Sequence, residues 1–550
     1  MEIGWTASGE RRVKRMSTKK STAYVNGKIF TSDDSNLYAE AMIVEGGRVQ
    51  WIGQKADMPA GDHETVDLAG KRVVPGFIDG HMHPIMLADF SKKISALPPA
   101  VNSLEDLAKA IREVRERQEA GQWIQGWGYD EGKLAEKRSP NRYDLDKGCD
   151  DSPVIIFRTC GHVNCVNSKA LELAGITRDT PDPQGGEIDR DEKGEPTGIL
   201  RENARTLVMP LLPASSEEEK IDELVDLSGL LASQGVTGAA DIGQLGAGDI
   251  YGYYTAAAKK GFKQRIGIYY MWDYYWKDPS FSIPKEQRDG DRQIHVSGLK
   301  TVGDGSFSGR TAWVSQPYFG STDEYGIPVC SDELMESAID FCKKNHCQYS
   351  MHAMGGQAID RIIDRVAKEE KWMEGDTPHL RLEHVTEPSE SAIQKAAEHG
   401  FAFALQPIFI YSEIESYLRN LGPERTKHAY PIRTLLQRGV NVSISTDAPA
   451  TSWATPSDPL PNIKCAVTRY AYDGTDCGQE EAVDVETAIK LYTRDSAFAT
   501  ELKNAGQLKP GFHADFVVLS DDILTVAPED IDKIKIDATY IDGEKVFERK

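Results

Sequence analysis

The chain has 550 residues, 40% of them hydrophobic and 27% charged, enough apolar material for a substantial core and too much for general disorder. Its 86 acidic residues outnumber 64 basic ones, giving a formal net charge of -22; nucleic acid and anionic membranes, which want clustered positive charge, are not expected partners. Mean hydropathy is -0.46 and no apolar run reaches about 18 residues, so no spanning helix is expected.

In chain order, the first residues carry Arg11, Arg12, Lys14 and Arg15 but no apolar stretch. Residues 1–21 therefore read as a flexible tail, no secretory signal is supported, and the expected location is cytoplasmic. AYVNGKIF (23–30) and AMIVEGGRVQWIG (41–53) are short alternating strands broken by glycine turns; ADFVVLS (514–520) and ATYIDGEKVF (538–547) repeat the pattern near the other end. Both ends together predict a small β-sandwich domain, 22–72 plus 505–550. Between them, apolar strands alternate with helical stretches, as in parallel β/α architecture. Strands are predicted at 73–79, 236–241, 265–271, 297–302, 347–352, 379–383, 401–405 and 441–446. Eight is the number that closes a (β/α)8, TIM-like barrel, here over 73–504. A ninth strand, 153–158, is assigned to an insertion at about 84–235 over the barrel mouth. Helices are predicted at 103–119, where Ser103 and Asp106 resemble a capping box, and at 216–233, 331–345, 356–371 and 388–399. Trp272, Tyr274, Tyr275 and Trp276 follow the third strand and read as core packing or as a lid.

Eight cysteines are too sparse for a disulfide framework. Cys160 and Cys165 bracket His162 without the fourth ligand or the spacing of a zinc knuckle, and Cys342 and Cys347 read as packing residues.

The chemistry gathers at the predicted strand ends. His81 and His83 follow VVPGFIDG; at i and i+2 of an extended chain both imidazoles face one side and can converge on one metal. His352 ends CQYSMH, His384 ends HLRLEH and Asp447 ends NVSISTD. All would meet at the C-terminal mouth, where barrel active sites lie. Imidazole and carboxylate together suit zinc, iron or manganese, with Zn2+ the default, as one ion or two. Lys300, in GLKTV on the fourth strand, would be repelled by a cation if it stayed an ammonium. Three readings stay open: CO2 converts it to N6-carboxylysine bridging two ions, it pairs with Asp304, or it contacts substrate. His162, Trp127, Tyr129, Arg158 and Arg310 are candidates for the substrate pocket, with loop packing or surface ion pairs as the alternative.

This ordered set, with VVPGFIDGHMH, GWGYDE (126–131), RTCGHVNCVNSKAL (158–171), GGEIDRDEKGEPTGIL (185–200), LKTVGDGSFSGRTA (299–312), HAMGG (352–356), RLEHV (381–385), LQP (405–407), STDAP (445–449) and ADFVVL (514–519), resembles the amidohydrolase superfamily of metal-dependent hydrolases. More narrowly it resembles the YtcJ-like branch, amidohydrolase family 3, which includes N-substituted formamide deformylase. The similarity runs from about residue 22 to the C-terminus. It implies a barrel with a terminal β-sandwich, His81, His83, Lys300, His352, His384 and Asp447 as metal ligands, and Asp447 as the catalytic acid–base. The branch usually carries Asp where this chain has Gly356. The expected activity is hydrolysis of a C–N bond in a small amide, formamide or cyclic amide by metal-activated water. Ester or lactone hydrolysis, decarboxylation and a non-catalytic regulatory role stay open, as does a homodimer.

Overall fold

A computed structural model describes residues 3–5, 11–13, 21–159, 163–183, 186–213, 215–243 and 248–550. Eight strands, each hydrogen-bonded to the next in sequence order, make the central parallel sheet. They are β1 (Phe77–Met82), β2 (Val236–Ile242), β3 (Arg265–Met271), β4 (Ile294–Val302), β5 (Gln348–Ala353), β6 (Leu380–His384), β7 (Ala402–Leu405) and β8 (Asn441–Ile444). The end of β8 returns to β1: the Asp447 amide donates to His81 O at 2.7 Å and the His83 amide to Ala448 O at 2.8 Å. A (β/α)8 barrel results.

The helices outside it begin where serines cap them. Ser216, Ser331 and Ser389 each accept the amide three residues on, at the starts of helices Glu217–Ser233, Asp332–Asn345 and Glu390–His399. Gly356–Val366 starts without a cap and stops short of the predicted 371. Helix apolar faces and outward strand residues share the largest core, which holds Leu227, Ile266, Ile339, Ile363 and Phe403. The barrel interior is polar instead: Arg381 and Glu383 on β6 reach across it to Gly80 and His81 on β1.

The predicted strand 73–79 is two strands. Arg72–Pro75 pairs with Phe516–Leu519 and Lys28–Phe30, whereas Phe77–Met82 enters the barrel. The chain crosses between sheets at Gly76, where a Cβ would lie 2.1 Å from Thr237 Oγ1.

Both chain ends build the additional β-layers. A six-stranded sheet runs Glu544–Glu548, Ile536–Ile541, Phe516–Leu519, Arg72–Pro75, Lys28–Phe30 and Tyr38–Ala39; a four-stranded one runs Arg48–Gly53, Ala41–Glu45, Thr22–Val25 and Glu64–Asp67. They face each other over a shared core in which Tyr24 meets Phe516 edge-on at 5.0 Å and Phe516 stacks on Tyr540 at 4.3 Å. Of the expected tail, Ile3–Trp5 and Arg11–Val13 pair antiparallel; residues 1, 2, 6–10 and 14–20 lie outside the described residues.

A third, six-stranded sheet contains Ile94–Ser95, Ile124–Tyr129, Val154–Arg158, Val163–Val166, Pro196–Glu202 and Gly186–Arg190. It takes up the predicted ninth strand and pairs Gly186–Arg190 with Pro196–Glu202 as a hairpin. Trp272 and Tyr275 are buried against Phe281, while Tyr274 is 45% exposed. Cys165, Cys342 and Cys347 are buried free thiols; Cys160 and His162 lie outside the described residues. Among the described residues, no helix is long and apolar enough to cross a membrane.

Candidate metal centre

His81 lies on β1, and His83 caps the helix Pro84–Ser91 that follows. Lys300 lies near the end of β4, His352 on β5, His384 at the end of β6 and Asp447 three residues past β8. His384 and Asp447 adopt left-handed backbone, with φ of 76° and 59°. Such strain costs about 1–3 kcal/mol at a non-glycine residue and needs a reason. At His384 the reason is geometric. A regular strand would send the consecutive Glu383 and His384 to opposite faces, and the twist turns His384 back toward the mouth.

His81, His384 and Asp447 each place a donor atom within 4.8 Å of the others. Asp447 Oδ1 is 3.1 Å from His83 Nε2 and 3.3 Å from His81 Nε2, and its Oδ2 is 4.0 Å from His384 Nε2. His352 joins through its ring, 4.4 Å from that of His384.

The outer nitrogens reveal which lone pairs face inward. His81 Nδ1 is 2.7 Å from Glu383 Oε2, His83 Nδ1 3.0 Å from Gly243 O, and His384 Nδ1 2.8 Å from Gln406 Oε1. Gln406 is oriented by its own amide nitrogen donating to Ser445 Oγ at 2.9 Å. All three partners are acceptors, so Nδ1 carries the proton and Nε2 keeps its lone pair. His352 is reversed: its Nε2 donates to Gly305 O at 2.8 Å, which frees Nδ1. Asp447 Oδ1 is buried, and neither nearby imidazole is aligned to donate to it. An anionic oxygen left unpaired among nitrogen lone pairs is an arrangement that a cation satisfies.

The electrostatics agree. Burial, with Lys300 adding to it, pushes His352 down to about 4, and burial puts His384 well below its ordinary value. Both are therefore neutral near pH 7, as ligating imidazoles must be. Burial would raise Asp447, but positive charge on the surrounding imidazoles outweighs it and holds the carboxylate well below its ordinary value. Burial would lower His83 and the same carboxylate raises it, so Asp447 draws positive charge, as proton or as metal, to the inward ring nitrogens. Lys300 is 3% exposed, its Nζ has no hydrogen-bond partner among the described residues, and burial pushes it down to about 8. The pairing with Asp304 is not formed. Asp304 instead accepts backbone amides of Trp313, Met354 and Gly355 at 2.8, 3.0 and 2.8 Å.

A cavity of about 880 Å³ adjoins His83, Gly243 and Met271 and is walled on the insertion side by Trp123, Gln125 and Phe157. Four of the five expected pocket residues are described. His162 lies outside the described residues. Trp127 is buried against Phe90, ring to ring at 5.0 Å, and Tyr129 is fully buried in the insertion's apolar cluster. Arg158 pairs at two points with Glu131, and Arg310 pairs with Glu324 over the Tyr318 ring. None of these four lines that cavity. Strand alternation puts Phe157, and not its neighbour Arg158, on the cavity side.

The family model described as "Amidohydrolase family" matches residues 64–547. The chain belongs to the amidohydrolase family. YtcJ of Bacillus subtilis (strain 168) is 30% identical over 538 residues, covering 95% of this chain and 98% of that protein. N-substituted formamide deformylase of Arthrobacter pascens is 28% identical over 548 residues, with 97% and 99% covered. A solved structure of an uncharacterized metal-dependent hydrolase from Pyrococcus furiosus is 27% identical, covers 92% of this chain and 100% of that one, and superposes with a TM-score of 0.71. The amidohydrolase is accordingly a hydrolase of small molecules.

Four contacts that orient this amidohydrolase's histidines escaped the sequence reading: Glu383, Gln406 and the Gly243 and Gly305 carbonyls. Only Glu383 left a signal, a carboxylate directly before a strand-end histidine. At Gly356, where the branch usually has Asp, a Cβ would meet Ser315 Oγ at 2.5 Å and Glu387 O at 3.0 Å, so a side chain there would require Ser315 to turn away.

Proposed function

We propose that the protein hydrolyses a C–N bond of an amide, formamide or cyclic amide at a centre of one or two divalent cations. His81, His83, Lys300, His352, His384 and Asp447 would hold them, with Zn2+ the default and Fe or Mn the alternatives. The observation that carries this reading is the convergence of His81, His384 and Asp447 within 4.8 Å, with lone pairs rather than protons turned inward. The similarity to N-substituted formamide deformylase supports the choice of bond.

When bound, the cation supplies Lewis acidity for the substrate carbonyl and lowers the pKa of water toward about 7. Asp447 accepts the proton of the attacking water at a carboxylate oxygen and returns it to the leaving nitrogen. The neutral form of the buried Lys300 amine is the one that adds CO2, and with release of one proton the resulting N6-carboxylysine would be an anion able to hold a cation where an ammonium would repel it. The cavity beside His83 offers room for the acyl group or the amine substituent.

Metal analysis of the purified protein, with a panel of N-substituted formamides, other amides and matched esters, tests the proposal. Amide turnover is expected to vanish on chelation and return with Zn2+ or Mn2+. Asp447→Asn is expected to lower kcat by about 10²–10⁴-fold with an unchanged circular dichroism spectrum. Full activity in metal-free protein, or turnover of esters alone, would overturn it.

A further inference from the structure

We propose that Glu383 is the positioning residue of the metal centre: it fixes His81 as an Nε2 donor and sets how tightly the cation is held. The inference rests on reading the cluster as a metal site.

Three imidazoles present Nε2 inward, but their outer partners differ in kind. His83 and His384 donate to a neutral carbonyl and a neutral amide oxygen, at 3.0 and 2.8 Å. His81 alone donates to a carboxylate, Glu383 Oε2, at 2.7 Å. A charged acceptor makes a stronger hydrogen bond and raises the basicity of the other ring nitrogen more than a neutral one does. His81 is thus the strongest donor of the three.

The carboxylate itself is held from the far side. Ser350 Oγ donates to Glu383 Oε1 at 2.6 Å, and Arg381 Nη2 donates to Oε2 at 3.0 Å, with Arg381 Nε 2.7 Å from Oε1. Arg381 Nη2 also donates to Gly80 O, in the residue before His81. One guanidinium therefore grips both the carboxylate that orients the His81 ring and the backbone that carries it. Ser350, Arg381 and Glu383 are fully buried and His81 is 2% exposed, so water does not compete for these bonds.

Stability does not account for such a pair. Removing two charges from water is costly, and exchanging a buried ion pair for apolar residues is often neutral or favourable. Barrel interiors are usually filled by Val, Ile and Leu. Here β6 places Arg381 and Glu383 two apart on one face, aimed across the barrel at β1. Their retention makes sense as orientation of His81.

The test is cation affinity of the metal-stripped full-length protein, measured for Zn2+ and Mn2+ by competition with a chromophoric chelator. Glu383→Gln keeps the shape and removes the charge, and is expected to weaken affinity by about 10–100-fold while the far-ultraviolet spectrum stays unchanged. Since that variant leaves Arg381 buried and unpaired, a second one, Arg381→Met with Glu383→Gln, removes both charges; it is expected to fold and to show the same weakening. Glu390→Gln, at the exposed start of the helix Glu390–His399, serves as the reference and is expected to bind as the wild type does. Wild-type affinity in either folded variant of the Arg381–Glu383 pair would overturn the inference alone. A wild-type protein that binds neither cation would overturn the metal-site reading and this inference with it.

Discussion

A lysine that is 3% exposed and without a hydrogen-bond partner among the described residues holds a proton only at a cost. Burial pushes Lys300 down to about 8, against the pull of Glu383 and Asp447. Between that value and the ordinary lysine pKa of about 10.4, the unfolded chain binds a proton that the native state does not. Stability therefore rises with pH across this window, and the penalty is fully present below it. In chelated, CO2-free protein, Lys300→Met is expected to raise stability at pH 7 by up to about 3 kcal/mol, with the gain fading by about pH 10.5. Urea denaturation at pH 7, 9 and 10.5 checks this; a gap that ignores pH would mean a paired or modified lysine. The candidate ligands were legible because each closes an apolar run, and strand alternation predicts where an i, i+2 pair points. Glu383 was not legible as a partner of His81, since 302 positions separate them and only barrel closure makes them neighbours. Arg158 and Arg310 show the opposite limit: an arginine in a motif says nothing of whether a nearby carboxylate already holds it.

At the level of elements, the eight strands were legible from short apolar runs, and their order follows because each βα unit delivers the next strand parallel to the last. The division of 73–79 was not, because Pro75 and Phe77 are equally apolar and only packing assigns them to different sheets. The same close packing yields a prediction on β4. Gly298 pairs with Gln348 on β5, and a Cβ at residue 298 would lie 2.0 Å from Gln348 O. Gly298→Ala must part the two strands or shift their register. The expected cost is about 1–3 kcal/mol, read as a lower midpoint in urea. Lys300 follows two residues later on the same strand, so the variant is also expected to bind less metal. A variant with unchanged midpoint and metal content would show that β4 and β5 separate freely at this level.

Across the whole molecule, the barrel end away from the metal centre is joined to the terminal sheets by buried charge. Arg265, the first residue of β3, donates from Nε to Asp515 Oδ2 at 2.8 Å and from Nη2 to His513 Nδ1 and Asp542 Oδ1 at 2.7 and 2.5 Å. His513 Nε2 lies 3.1 Å from Asp291, which Arg48 holds at 2.6 Å. The network thus ties the first strands of the chain, the barrel and the last strands into one joint. Arg265 and Asp515 have side chains 4% and 3% exposed, so screening by water is slight. Arg265→Met leaves Asp515 buried without its counter-charge and is expected to cost about 3–5 kcal/mol. Adding Asp515→Leu removes the stranded charge and should recover part of that loss, because what destabilises is the unpaired carboxylate and not the missing bond. Urea denaturation of the wild type, the single and the double variant gives the three values. Since the joint lies at the opposite end of β3 from the mouth, metal content and turnover under native conditions should stay at wild-type levels in both variants. A single variant as stable as the wild type would mean that the two β-layers and the barrel are held by their apolar contacts alone.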